Sequence, residues 1–285
     1  MHARRTIARA TQHGAHRAPL PWLLSRLLSR LLLWLLLWLR LSLQLPLQLS
    51  LLLWLALPMT TMDASADIPP ERQAMLNAVR ASVAESADYT GIEKLSDAVM
   101  DALGAVPREA FVPSAYRHQA YRNTPLPIAA GQTISQPLIV ALMTEMLEPE
   151  PSDVMLEVGT GSGYQAAVLA QLVKHVYSIE IVEELADTAR NALQQLHYDN
   201  ITVHAGDGYA GWPEHAPFDG IIVTAAADEI PPPLLQQLKP GGKLVIPVGE
   251  HLGYQELLVV EVDSKGKVTK RSKLPVRFVP LTRSQ

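Results

Sequence analysis

From Val154 to Pro247 short apolar runs alternate with segments of helical periodicity, and this order constrains the fold more than any other feature of the chain. Val154 to Val158, His175 to Ile181, Ile201 to Val203, Phe218 to Thr224 and Lys243 to Pro247 read as strands. Tyr164 to Val173, Glu183 to Leu196 and a stretch near Pro231 to Leu238 read as the helices between them. Strand and helix in strict alternation predict a doubly wound, mostly parallel α/β sheet, covered on both faces, with ligands at the carboxyl ends of its strands. Glu256 to Val262 and Val268 to Leu274 flank Ser264-Lys265-Gly266, which predicts an antiparallel C-terminal hairpin.

Upstream, Met75, Leu76, Val79 and Val83, then Leu95, Ala98, Val99, Ala102 and Leu103, recur at intervals of three and four and predict two extra amphipathic helices. A loop-rich stretch from Val106 to Pro137 carries five punctuating residues, Pro107, Pro113, Pro125, Pro127 and Gly131, before helical spacing returns over 138–147. The expected organisation is a low-complexity extension over 1–66 and one catalytic domain over 67–285. That domain divides into a helical and loop region on the substrate side, 67–137, and a cofactor-binding sheet, 138–285.

The extension is rich in leucine from Leu20 to Leu57, and residues 1–62 hold seven arginines and no acid. Three readings of it stand side by side. As a membrane span, the uncharged run from Leu41 to Met62 is long enough, yet leucine at every odd position from Leu41 to Leu57 has a strand period and Pro46 interrupts a helix. As an export signal, Ala64-Ser65-Ala66 fits, while Arg30 and Arg40 break the apolar core. The favoured expectation is that translation starts at Met59 or Met62, so that membrane contact arises only if residues 20–57 are genuine.

Removing those seven arginines from the formal net charge of −4 leaves −11 over residues 63–285, a balance repelled by phosphate backbones, so no nucleic-acid partner is expected. The absence of cysteine excludes disulfides, thiolate metal sites and cysteine nucleophiles. His175, His197, His204 and His215 have no metal-ligand spacing; packing or surface roles are expected for them, and no metal.

Leu156-Glu157-Val158-Gly159-Thr160-Gly161-Ser162-Gly163-Tyr164 places a glycine turn between the first strand of the alternation and its helix, where the backbone can approach a ligand closely. A dinucleotide fingerprint needs its third glycine at position 164, which is Tyr164. Glu180 ends the next strand, placed to accept from ribose hydroxyls, and Asp207-Gly208 follows the third, placed to meet an adenine. Glu157, Gly159, Thr160, Gly161, Ser162, Gly163, Glu180, Asp207 and Gly208 are therefore the expected cofactor residues, and an acidic pocket of this order suits S-adenosyl-L-methionine. Trp212 and Tyr209 flank the adenine or pack in the core. Nitrogen methyltransferases commonly carry a polar residue and two prolines after the fourth strand; here Thr224-Ala225-Ala226-Ala227 stands there, which favours an oxygen acceptor.

Gly131-Gln132-Thr133-Ile134-Ser135-Gln136-Pro137 resembles the signature of the protein-L-isoaspartate O-methyltransferase family. Similar to that family too are Val106 to Pro113, Glu157 to Tyr164, Pro217 to Ala226 and Pro275 to Leu281, in family order from about residue 75 to 282. The resemblance implies a seven-stranded methyltransferase sheet, Ser135 as the catalytic residue, and Thr133 in the substrate pocket. It implies methyl esterification of the α-carboxyl of isoaspartyl residues in damaged proteins, whose ester then closes to a succinimide. An extended peptide is expected beside Val276 to Pro280. Ser135 or Gln136 also reads as the cap of the helix that begins at Pro137. Two other readings remain open: an O-methyltransferase for a small carboxylic acid, and a non-catalytic membrane or interaction module with an adenosyl pocket. A monomer in the cytoplasm is expected, since adenosylmethionine is a charged cytoplasmic metabolite; anchoring or export is the alternative.

Overall fold

The computed structural model of the chain describes residues 28–40, 68–250 and 253–283. The chain divides at the junction of Ala66 and Asp67, and each part is described by itself. In the first, residues 28–40 form α1, exposed throughout, with Trp34 and Trp38 among its exposed side chains. No helix of the described residues is long and apolar enough to cross a membrane. The expectations placed on Leu41 to Met62 and on Ala64-Ser65-Ala66 fall outside the described residues.

In the second part, Pro70–Glu85 forms α2, with proline at its start and Met75, Leu76, Val79 and Val83 buried. A short α3, Ala87–Thr90, ends on Gly91 in the left-handed region, φ 72°. Asp97–Ala105 forms α4, capped by the Ser96 hydroxyl, which accepts from Val99 N–H. The Ser96 N–H and hydroxyl both donate to Glu145 Oε2, at 2.9 and 2.8 Å, tying this cap to α5, Pro137–Leu147. The loop-rich stretch between α4 and α5 contains three 3-10 turns and a small antiparallel pair, β1 (Leu126–Pro127) and β2 (Thr133–Ile134).

The main sheet then follows: β3 Val154–Val158, β4 His175–Glu180, β5 Ile201–Ala205, β6 Phe218–Val223, β7 Leu238–Gly249, β8 Gln255–Val262 and β9 Val268–Val276. Helices α6 (Tyr164–Ala170), α7 (Glu183–Gln195) and α8 (Pro232–Gln236) connect its parallel strands. The spatial order is β5-β4-β3-β6-β7-β8-β9, parallel through β7 and antiparallel for the last two pairings. The seven-stranded, mostly parallel sheet with its antiparallel hairpin is the fold the sequence predicts.

Several boundaries differ from the periodic reading, three of them with a clear cause. Helix α6 stops at Ala170, where Asn200 Nδ2 takes the Ala170 carbonyl at 2.9 Å. Helix α8 stops at Gln236 because the chain enters β7 at Leu238, whose Phe218 pairing precedes a register shift in β6. That strand begins five residues earlier than its apolar run, since Leu238 already pairs with Phe218, and Lys239 to Gly242 span the register shift before Lys243 pairs with Gly220.

Alternation along the central strands builds two cores. Met155, Ile222, Val245 and Leu257 face the side packed by α2, α4, α5 and α6, while Leu156, Val158, Ile221, Val223, Leu244 and Ile246 face the other. Burying each such side chain contributes roughly 1.5–3 kcal/mol. The chain runs outward from β3 to β5 and returns to β6 on the other side of β3. The switch point between β3 and β6 opens a crevice beyond their carboxyl ends.

Candidate active site

At that crevice lies an open cleft of about 770 Å³. Its floor is the glycine loop, in which Gly159, Gly161 and Gly163 have φ of 98°, 53° and 89°. A Cβ at Gly159 would sit 2.5 Å from Thr224 Oγ1, and one at Gly208 would sit 2.4 Å from Val158 Cγ1, so both positions favour glycine for close approach, and Gly159 for its backbone angle as well. The Gly159 and Thr160 amides donate to the Ile179 carbonyl, at 2.8 and 3.2 Å, which ties the loop to β4. Just past β6, Thr224 Oγ1 donates to Gly159 O at 2.5 Å.

Two carboxyl groups underlie the loop, and their environments differ. Glu180 lines the cleft, with Oε2 accepting from Gly161 N–H at 2.8 Å and Oε1 from Val182 N–H at 3.0 Å. Each oxygen keeps acceptor capacity beyond these bonds. Glu157 shares the Met155 face of β3 and is fully buried; it accepts from Ser178 Oγ, which in turn meets Thr160 Oγ1 at 2.5 Å. Its other oxygen, Oε1, is buried and completes no hydrogen bond among the described residues. Burial pushes the Glu157 carboxyl up to about 8; the Ser178 bond opposes this and the neighbouring Glu180 adds to it.

The opposite wall comes from the loop before α5. Gln132, Thr133, Ile134 and Ser135 all line the cleft. The α5 N-cap is Gln136, and neither its side chain nor that of Ser135 caps the helix. Asn123 reaches in instead, its Oδ1 accepting from Leu138 N–H at 3.0 Å, so the cap expected from local sequence is supplied from fifteen residues upstream. The Ser135 hydroxyl is thus not committed to the helix. Its carbonyl accepts from Arg108 Nη2 at 2.8 Å.

A strap formed by Val279 to Thr282 completes the lining. It is held at Phe278, whose N–H donates to Gln255 Oε1 at 2.7 Å, and at Ala226, which donates to Val279 O at 2.8 Å and accepts from Leu281 N–H at 2.7 Å.

A family model described as protein-L-isoaspartate(D-aspartate) O-methyltransferase matches residues 82–285, a span that takes in the glycine loop, the Ser135 loop and the strap together. The chain belongs to the protein-L-isoaspartate O-methyltransferase family. Among its relatives is protein-L-isoaspartate O-methyltransferase 2 of Syntrophobacter fumaroxidans, 55% identical over 211 residues, covering 74% of this chain and 85% of that one. Protein-L-isoaspartate O-methyltransferase 1 of Cupriavidus necator is 52% identical over 227 residues, covering 80% and 88%. Two solved structures of the same description also match. One has a TM-score of 0.64 at 27% identity and covers 73% of this chain and 65% of its own, slightly under two thirds. The other, from Plasmodium falciparum and in complex with S-adenosyl-L-homocysteine, has a TM-score of 0.62 at 25% identity and covers 75% and 99%.

Within this methyltransferase fold, the cleft gathers Thr133, Ser135, Gly159, Thr160, Gly161, Ser162, Glu180 and Gly208 from the residues expected by sequence. Gly163 turns the loop behind them into α6. Glu157 lies beneath the loop, outside the lining, and Asp207 caps the turn beside Gly208 by accepting from Tyr209 N–H at 3.0 Å. Val276 closes β9 opposite Gln255, just before the strap. Sequence reasoning missed Tyr164 and Gln165 as lining residues, together with Thr224 and the strap. The signal for the strap was present in the family-like run from Pro275 to Leu281, read there only as a peptide-binding edge.

The methyltransferase also gathers histidines that look scattered in sequence. His215 stacks on Tyr177 at 3.9 Å, His175 lies 4.5 Å from the same ring, and Trp212 packs against Tyr177, His204 and His215. Trp212 therefore packs with this aromatic group and does not line the cleft, whereas Tyr209 carries the Arg283 guanidinium 4.0 Å above its ring. Among the described residues no group of three or more histidines and acids could hold a metal ion.

Proposed function

We propose that this chain methylates the α-carboxyl of L-isoaspartyl residues in damaged proteins, with S-adenosyl-L-methionine as donor and Ser135 as the catalytic residue. The observation that carries this reading is the meeting of the Thr133–Ser135 loop and the glycine loop across one cleft in a chain of this family. The cofactor fits the residues present: a floor where Gly159 and Gly208 leave no room for a Cβ, and a Glu180 carboxylate whose acceptor capacity suits ribose hydroxyls and a cationic ligand. When bound, it supplies an electrophilic methyl group.

The chain's own contribution is mainly orientation. An α-carboxylate has an ordinary pKa of roughly 3.3 to 3.7, so it is ionised near neutral pH and needs no strong base. Ser135 donates a hydrogen bond to one carboxylate oxygen and leaves the other to react. Glu157, Gly159 to Gly163, Glu180, Asp207 and Gly208 hold the donor, Glu157 from beneath through Ser178 and Thr160. Thr133 and Val276 bound the substrate, an extended peptide lying along Val276 to Pro280. Alignment of two bound reactants is worth about 7 to 11 kcal/mol in favourable cases. The succinimide then forms from the ester without the enzyme.

Residues 67–285 carry this activity as a monomer in the cytoplasm, where adenosylmethionine is a metabolite, with no nucleic-acid partner. The test pairs an isoaspartyl peptide with its aspartyl twin under labelled donor. Methylation of the first alone is expected, and Ser135→Ala is expected to lower kcat about 10²-fold, the scale of a lost transition-state donor, with donor affinity retained. Equal labelling of both peptides, or none, overturns the assignment.

A further inference from the structure

Arg108 is fully buried, yet among the described residues no carboxylate pairs with it. The adjacent Glu109 turns instead to Arg72 and Tyr121. The Arg108 guanidinium is held by carbonyls from separate segments: Nε donates to Ala120 O at 2.8 Å, Nη2 to Ser135 O at 2.8 Å, with a longer approach to Thr124 O at 3.5 Å. Its Cζ lies 4.7 Å from the centroid of the Tyr164 ring, and Phe111 packs edge-on to that ring at 5.8 Å. Among the described residues, Arg108 Nη1 and the Tyr164 hydroxyl are both buried and complete no hydrogen bond of normal geometry, although the guanidinium and the hydroxyl lie close enough to interact electrostatically.

A buried charge with unused donors is a poor device for stability, since apolar packing of the same volume usually serves as well. Its geometry has a different use. Ser135 lines the acceptor wall of the cleft, and Tyr164, the residue after Gly163, lines the cleft where the glycine loop enters α6. One rigid fork touches both walls. A lysine could not replace it, because a single ammonium on a flexible stem lacks the planar fork that reaches two carbonyls while stacking on a ring.

We propose that Arg108 is a positioning residue that fixes the Ser135 loop against the Tyr164 turn and so sets the distance between acceptor and donor; this rests on the methyltransferase reading above. Arg108 touches neither reactant in this role. It acts through the Ser135 carbonyl and the Tyr164 ring.

The experiment uses the full chain with Arg108→Lys and, should that variant not unfold cooperatively, Tyr164→Leu, which removes the ring beneath the guanidinium. Hydrogen exchange is measured at the amides of residues 132–136, and kcat and KM are measured with an isoaspartyl peptide. Exchange at 132–136 is expected to rise at least about tenfold, with β4 and β5 unchanged, and kcat to fall about 10²-fold, the cost of a misplacement near 1 Å, while KM for S-adenosyl-L-methionine moves less than about threefold. In a Ser135→Ala background Arg108→Lys should add less than about threefold, because the group it positions is gone. Unchanged exchange at 132–136 in a folded variant overturns the proposal whatever the activity, as does a full, independent loss of kcat in the Ser135→Ala background. Failure of the wild type to label the isoaspartyl peptide would instead sink the functional reading, with exchange still deciding Arg108.

Discussion

Replacing Glu157 by glutamine should stabilise the protein in alkali and far less in mild acid. Burial raises the folded carboxyl from its usual 4.5 to about 8. Between those values the native state holds a proton that the unfolded chain has released, so the unfolding free energy of the wild type falls as pH rises, by about 1.4 kcal/mol per pH unit. The stabilising neutral form is fully present below about 4.5 and is lost as pH climbs through about 8. Over the whole window the loss amounts to roughly 5 kcal/mol. Glutamine has the shape of the neutral acid, can hydrogen-bond Ser178 Oγ, and does not ionise. The difference between variant and wild type should therefore grow from about 1 kcal/mol at pH 5 to roughly 4 kcal/mol at pH 8. For a domain of this size that is a Tm difference of about 8–16 °C. Far-UV circular dichroism during urea and thermal unfolding at pH 5, 6.5 and 8 measures it. A difference that stays constant with pH within about 0.5 kcal/mol would refute the reasoning, since it would mean that Glu157 ionises in the fold as freely as in the open chain.

Gly159→Ala, forced to φ 98° with its Cβ 2.5 Å from Thr224 Oγ1, should lose about 1–3 kcal/mol of stability and bind S-adenosyl-L-homocysteine more than about tenfold weaker by calorimetry. Retained affinity would show that the floor can yield. Glu180→Ala leaves the Gly161 and Val182 amides without their acceptor and should also weaken that binding by at least about tenfold, the scale of one charge-assisted hydrogen bond. Asn123→Ala removes the acceptor for Leu138 N–H and should cost about 1 kcal/mol, a Tm drop of about 2–4 °C, whereas Gln136→Ala at the formal cap position should cost less.

Sequence alone determined the order of strands and helices, the glycine loop at its strand-to-helix turn, and the C-terminal hairpin. These are local properties. A period of two or 3.6 residues records which face will be buried, and a glycine records a backbone angle, whatever else the chain does. The family-like motif at Ser135 marked the loop that lines the cleft, whereas the run Pro275 to Leu281 gave a peptide edge and not the strap that closes over the cleft. Tertiary structure decided everything that depends on distant partners. Glu157 and Glu180 look alike in sequence, yet the pleat of β3 seals the first beneath α6 and the end of β4 brings the second into the cleft. Arg108 stands in the family-like run Val106 to Pro113 with nothing local to mark it as buried; Ala120 and Ser135, twelve and twenty-seven residues on, close around its guanidinium. The Asn123 cap and the gathering of histidines on Tyr177 have the same origin. Burial and hydrogen-bond partnership are set by segments that meet only after the sheet has assembled, so no periodicity along the chain encodes them.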